Sequence, residues 1–156
     1  QSYTGGDLSH SPGFTLREGK RQTYVPARDS LMEPKCAPEN CSNLLEMTES
    51  IRRVVLNDEI PPAERFDIAP GDVAGLKRAL GHADGFFPEA VTAALGPGAR
   101  IYDKPGDVAE RDCLDVAYIV APGGQRFLLA ATVPHSSGGC EALTTLATGV
   151  LQVLRQ

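Results

Sequence analysis

Two apolar runs near the end of the chain, Cys113-Leu114-Asp115-Val116-Ala117-Tyr118-Ile119-Val120 and Arg126-Phe127-Leu128-Leu129-Ala130-Ala131-Thr132-Val133, are separated only by Ala121-Pro122-Gly123-Gly124-Gln125. A five-residue Gly-containing connection between two strand-like runs makes an antiparallel hairpin. In each run one face carries Leu114, Val116, Tyr118 and Val120, or Phe127, Leu129, Ala131 and Val133. The opposite face still carries Ala117, Ile119, Leu128 and Ala130, so both strands are expected to be central ones, covered by helices on each side. The next apolar stripe, Cys140, Leu143, Leu146, Ala147, Val150, Leu151 and Leu154, has helical spacing and supplies one such cover.

Upstream, Leu44, Met47, Ile51, Val54 and Val55 fall on one face at helical spacing, behind possible caps at Asn40 and Ser42. Pro61 and Pro62 end that segment, because two consecutive prolines remove two backbone donors. A second helix is expected from Pro70, with Asp72 in its first turn, Val73, Leu76 and Leu80 inward, and Gly81 as its stop. A third runs from Pro88 to Leu95 and is closed by Gly96-Pro97-Gly98. Arg100 to Asp103 then returns to strand chemistry. Residues 1–40 are rich in Gly, Pro, Ser and charge, with short extended pieces at Phe14-Thr15-Leu16 and Gln22-Thr23-Tyr24-Val25. Such a stretch packs on a missing or neighbouring part, leaving residues 41–156 as the helices, hairpin and closing helix of one α+β domain.

The 156 residues, 42% of them hydrophobic, suffice for one domain with a core. A net charge of -5, with no basic stripe, argues against nucleic acid as a partner; Arg52-Arg53 and Lys77-Arg78 are expected on solvated helix faces. No apolar run approaches the ~18 to 20 residues that span a bilayer. Of the four cysteines, Cys36 and Cys41 bracket a loop short enough for a local disulfide, which favours an oxidising compartment. Cys113 and Cys140 fit either a disulfide or two buried thiols. The chain opens on Gln1 rather than Met, as a processed form or a piece of a longer reading frame would.

The chemistry-bearing feature is Tyr102-Asp103-Lys104-Pro105-Gly106-Asp107, immediately before the hairpin. A strand lysine beside a glycine holds an ammonium at fixed height while letting a ligand approach the backbone. Helices, then a Lys-x-Gly strand, a buried hairpin and a terminal helix, resemble in that order the C-terminal half of the serine β-lactamase and penicillin-binding-protein superfamily. Tyr24-Val25-Pro26 and Asn40-Cys41-Ser42, leading into the helix from Leu44, are similar to the segment before that family's late helices.

The resemblance implies an antiparallel sheet flanked by helices, incomplete in this chain, and a serine hydrolase acting through an acyl-enzyme on an amide, ester or lactam. It implies a catalytic and substrate-binding Lys104, a substrate-binding Gly106, a small-molecule or peptide substrate, no metal and no cofactor. It also implies an extracytoplasmic location and an upstream half of the same domain as partner. Pro105 stands where the family has a hydroxyl residue, which removes a side-chain donor and a backbone donor from the substrate contacts. No Ser-x-x-Lys, Ser-x-Asn or Tyr-x-Asn occurs; Ser50-Ile51-Arg52-Arg53 comes nearest and ends in Arg, which does not accept a proton at working pH. The alternative is a non-catalytic binding or scaffolding relative.

Other arrangements are weaker. Glu33 and Glu39 are loop carboxylates best explained by solvation. Cys36 and Cys41 with His10, His82 and His135 do not have a zinc spacing. Cys113 and His135 lack a third, orienting group for nucleophilic catalysis. Asp115, inside an apolar strand, requires a hydrogen-bonded partner or an edge position. His135-Ser136-Ser137-Gly138-Gly139 is expected to be the loop that caps the last helix.

Overall fold

The computed structural model describes residues 13–18, 21–26, 44–82, 84–108, 112–134 and 139–155. Strands β1 (Gly13–Glu18) and β2 (Arg21–Pro26) form an antiparallel ladder and contain the two extended pieces expected there. Helices α1 (Leu44–Val55), α2 (Pro70–Leu80) and α3 (Pro88–Leu95) come next. They are followed by β3 (Arg100–Val108), β4 (Asp112–Val120), β5 (Arg126–Pro134) and α4 (Glu141–Leu154). The last three strands make an antiparallel sheet in the order β3-β4-β5, an α+β arrangement among the described residues.

Alternation along β4 divides the core. Cys113, Ala117 and Ile119 pack with Phe87 just before α3, with Val91 and Ala94 on it, and with Leu143, Ala147 and Leu151 from α4. Val116 and Tyr118 turn the other way, onto Ile51 and Val55 of α1. Because side chains alternate faces, one strand feeds two helical layers, as its two-sided apolar pattern requires. Each fully buried Ile, Leu or Phe in these layers contributes roughly 1.5 to 3 kcal/mol.

The helix boundaries follow local chemistry. Pro70 and Pro88 occupy first-turn positions, where the missing N–H costs nothing, and α3 closes on Gly96 at φ 92°. The caps expected at Asn40 and Ser42 lie outside the described residues, as do Glu33, Glu39, Cys36, Cys41, His10 and His135. On α1, Arg52 and Arg53 pair with Glu49 at 2.8 Å and 2.7 Å, and Arg52 also reaches Glu64. Lys77 pairs with Asp58. These cations are engaged locally on the surface.

Three expectations need correction. Among the described residues β5 pairs only with β4, so it is an edge of this sheet, and Leu128 on it is exposed. The apolar stripe of α4 is wider than the face it buries: Leu143, Ala147 and Leu151 are inside, while Leu146, Val150 and Leu154 are exposed. A helix lying on one surface inserts only the rows that point at it. Finally, the strand expected over Arg100 to Asp103 is too short: β3 runs on to Val108, and so carries Lys104, Pro105 and Gly106 as the Lys-x-Gly strand requires. Proline is tolerated there because, among the described residues, β3 pairs on one side only.

Candidate active site

The β3 edge positions Lys104. Its backbone partner across the ladder is Val116, with Pro105 opposite Asp115 and Gly106 opposite Leu114. The Lys104 side chain is exposed, and its Nζ donates to the Pro105 carbonyl at 2.8 Å. Gly106 lies close over Leu114: a Cβ there would stand 3.0 Å from Leu114 Cγ, so glycine lets the two strands approach. The site therefore offers a solvent-facing ammonium beside a strand edge that no described strand covers. That arrangement suits an anionic ligand whose own backbone runs along the strand.

Directly before Lys104, Asp103 is buried, and neither of its carboxylate oxygens forms a well-shaped hydrogen bond. Burial pushes its pKa above the usual carboxylate value; the Gly85 amide offsets part of that, while the Asp84 charge adds to it. Asp115, from β4, faces the same side of the sheet at 0% exposure. It is no edge residue, since β4 is the middle strand, and it has the hydrogen-bonded partners that such a position demands. Its Oδ2 accepts the Phe86 N–H at 2.7 Å and the Phe87 N–H at 3.0 Å, at the start of α3. From the other side Thr144 Oγ1 of α4 donates to the Phe86 carbonyl at 2.8 Å. Burial raises the Asp115 pKa to about 6, against the two amides and with help from the Asp103 charge.

Gly85 completes this cluster, because a Cβ on it would overlap both Asp103 Oδ2 and Asp115 Oδ2. The sequence signals for it were a carboxylate inside each of two strands and an Asp84-Gly85 pair ahead of Phe86-Phe87-Pro88. Only Asp115 stands out from those signals, since nothing in the pattern says that Gly85 faces both carboxyls.

The remaining candidates separate. Cys113 is bonded to Cys140 in a disulfide, so the pairing alternative holds over two buried thiols, and Cys113 has no thiolate to serve as a nucleophile. Ser50 Oγ, within the nearest approach to a serine-lysine motif, donates to the Glu46 carbonyl at 2.8 Å inside α1. Its hydroxyl is committed to the helix backbone. No cluster of three metal-ligating side chains occurs among the described residues.

No family model matches the chain, and no curated protein matches it. Solved structures do. A β-lactamase from Burkholderia ambifaria superposes with a TM-score of 0.54 at 19% identity, covering 81% of this chain and 46% of the other. The fold is β-lactamase-like. A class A β-lactamase from Mycobacterium abscessus gives 0.55 at 23% identity, covering 76% of this chain and 44% of its own. A halotolerant bacterial β-lactamase gives 0.55 at 19%, with 80% and 46% covered. The chain thus spans less than half the length of these β-lactamase-like neighbours. Among its described residues no helix is long and apolar enough to cross a membrane.

Proposed function

We propose that the chain is the C-terminal portion of a β-lactamase-like serine hydrolase that acts through an acyl-enzyme on an amide, ester or lactam. The observation that carries this is Lys104, exposed on the uncovered edge of β3 within a β-lactamase-like fold. In this reading residues 41–156 supply one wall of the cleft, and an upstream half of the same domain supplies the serine nucleophile. Serine Oγ adds to the substrate carbonyl carbon, the bond to the leaving amine or alkoxide breaks with protonation of that group, and water then cleaves the acyl ester. Lys104 binds the substrate's anionic group and assists proton transfer, and Gly106 lets the substrate lie close to the strand. The Cys113–Cys140 disulfide supports an extracytoplasmic location, periplasmic or secreted, where such bonds persist.

The test is acylation of the protein carrying its upstream sequence by a fluorescent penicillin or an activated-serine probe. Lys104→Ala should lose most of the labelling. An upstream sequence with neither Ser-x-x-Lys nor Ser/Tyr-x-Asn would remove the nucleophile and end the enzyme reading.

A second reading rests on Pro105. With no hydroxyl and no N–H at that strand position, a substrate carboxylate loses donors that Lys104 alone does not replace. The domain would then bind a ligand along β3 without turnover. Saturable binding of a penicillin without covalent labelling would favour this reading over the first.

A further inference from the structure

Two buried carboxyl groups share surroundings beside the strand that carries Lys104. Asp103 and Asp115 lie on one face of the β3-β4 ladder, since Asp103 pairs with Ala117 and Asp115 sits two residues away along the same strand. Their Oδ2 atoms converge on the same side of Gly85. Asp115 uses Oδ2 for two amides, while its Oδ1 and both oxygens of Asp103 lack a well-shaped hydrogen bond, the Gly85 amide being the group that faces Asp103. Among the described residues no cation forms an ion pair with either carboxylate.

Among the described residues, the surrounding charges do not relieve the pair. The segment leading into α3 contributes Asp84, a like charge, and β3 contributes Lys104, whose ammonium is engaged by the Pro105 carbonyl. Helices α3 and α4 bring ionisable side chains only at Glu89 and Glu141, both exposed, and at Cys140, held in the disulfide. Two adjacent buried carboxylates with no ion-paired cation among the described residues cannot both stay ionised at low cost. One proton between them supplies an O–H donor from one carboxyl to an oxygen of the other that lacks one, and the titration belongs to the pair.

We propose that Asp103 and Asp115 hold a single proton between them in the folded chain, and that its loss at rising pH loosens the joint between β3 and the Gly85–Phe87 segment. The pair is a pH-sensitive latch on the Lys104 strand. It depends on no catalytic role for Lys104, so it stands or falls apart from the hydrolase reading. Burial and mutual repulsion both favour the protonated pair, in agreement with the upward displacement of both groups. The folded chain then retains a proton that the unfolded chain has released between the ordinary aspartate value of 3.8 and about 6. Stability therefore declines as pH rises through that window and is level above it.

The experiment is a carbon-13 NMR titration of the aspartate carboxyls in the full chain from pH 4 to 8, together with urea unfolding at pH 5 and pH 8. The Asp103 and Asp115 signals should move together in a step well above 3.8. The folding equilibrium constant should be about tenfold larger at pH 5 than at pH 8, the factor that a displacement from 3.8 to about 6 requires. Asp103→Asn, whose amide donates to the Asp115 carboxylate in place of the proton, should flatten this pH dependence and raise stability at pH 8 above that of the native sequence. A purely structural role would leave the slope in place. Independent titration of both groups at ordinary values overturns the proposal, as does equal or greater stability at pH 8 in the native sequence. Should Asp103→Asn fail to fold, the titration of the native chain decides.

Discussion

Replacing Gly85 with alanine tests the carboxyl pocket from its backbone side. The added Cβ would overlap Asp103 Oδ2 and Asp115 Oδ2. Asp115 has little room to retreat, since Oδ2 is bonded to the amides of Phe86 and Phe87, the next two residues in the chain. Moving the segment away stretches the same two bonds. Each is a hydrogen bond to a carboxyl group of the charge-assisted kind, contributing roughly 1.5 to 3 kcal/mol, so losing both costs about 3 to 6 kcal/mol. Alanine recovers about 0.4 to 1 kcal/mol by restricting the unfolded chain. The expected net loss is therefore about 2 to 5 kcal/mol. Gly75→Ala is the matched control, because a Cβ there meets only Arg78 Nη2, at 4.0 Å, within α2. It should stabilise by about 0.5 to 1 kcal/mol. Urea midpoints of the two variants, compared with the native chain at one pH, provide the measurement. Adding Asp103→Ala to Gly85→Ala should relieve part of the cost, a coupling that a double-mutant cycle reads directly. If Gly85→Ala unfolds at the same midpoint as Gly75→Ala, the two carboxylates do not crowd residue 85 and the expected loss is refuted.

Other perturbations address separate parts of the molecule. Removing the Cys113–Cys140 bond by a double alanine substitution frees a loop whose ends are 27 residues apart, which on the chain-entropy model costs about 3.5 kcal/mol; an unchanged thermal midpoint on reduction would contradict it. Leu151→Ala, at a fully buried position on α4, should cost about 2 to 5 kcal/mol, whereas Val153→Ala, on the same helix but 68% exposed, should stay within about 0.5 kcal/mol by denaturation. Lys104→Ala should leave the melting temperature nearly unchanged, because its ammonium only meets a carbonyl at the surface, while weakening capture of an anionic probe; a large loss of stability would assign it a structural role instead.

The local chemistry of the chain was legible residue by residue. Pro88 and Gly96 bracket α3 because one tolerates a missing amide at a helix start and the other adopts positive φ at its end. The Pro-Gly-Gly turn made β4 and β5 antiparallel partners, and the two-sided apolar pattern made β4 a buried strand with helices on both sides. The pattern said less about β5, because apolar residues on two faces do not reveal whether a further strand pairs along its edge. It also overestimated α4, where hydrophobic spacing records which residues are able to pack and not which of them meet a surface.

Lys104 and Gly106 were likewise visible in sequence, as a lysine and a glycine on one strand. Tertiary structure placed that strand at an edge of the sheet among the described residues and showed what lies beneath it. Gly85, Asp103 and Asp115 come from three segments separated by up to about 30 positions, and Cys113 meets Cys140 across 27. Periodicity encodes which face of its own helix or strand a residue occupies, and that information is local. Which buried carboxylate meets which, and whether a glycine is needed between them, depends on the stacking of α3 and α4 against β3 and β4. That stacking exists only once the hydrophobic layers have closed.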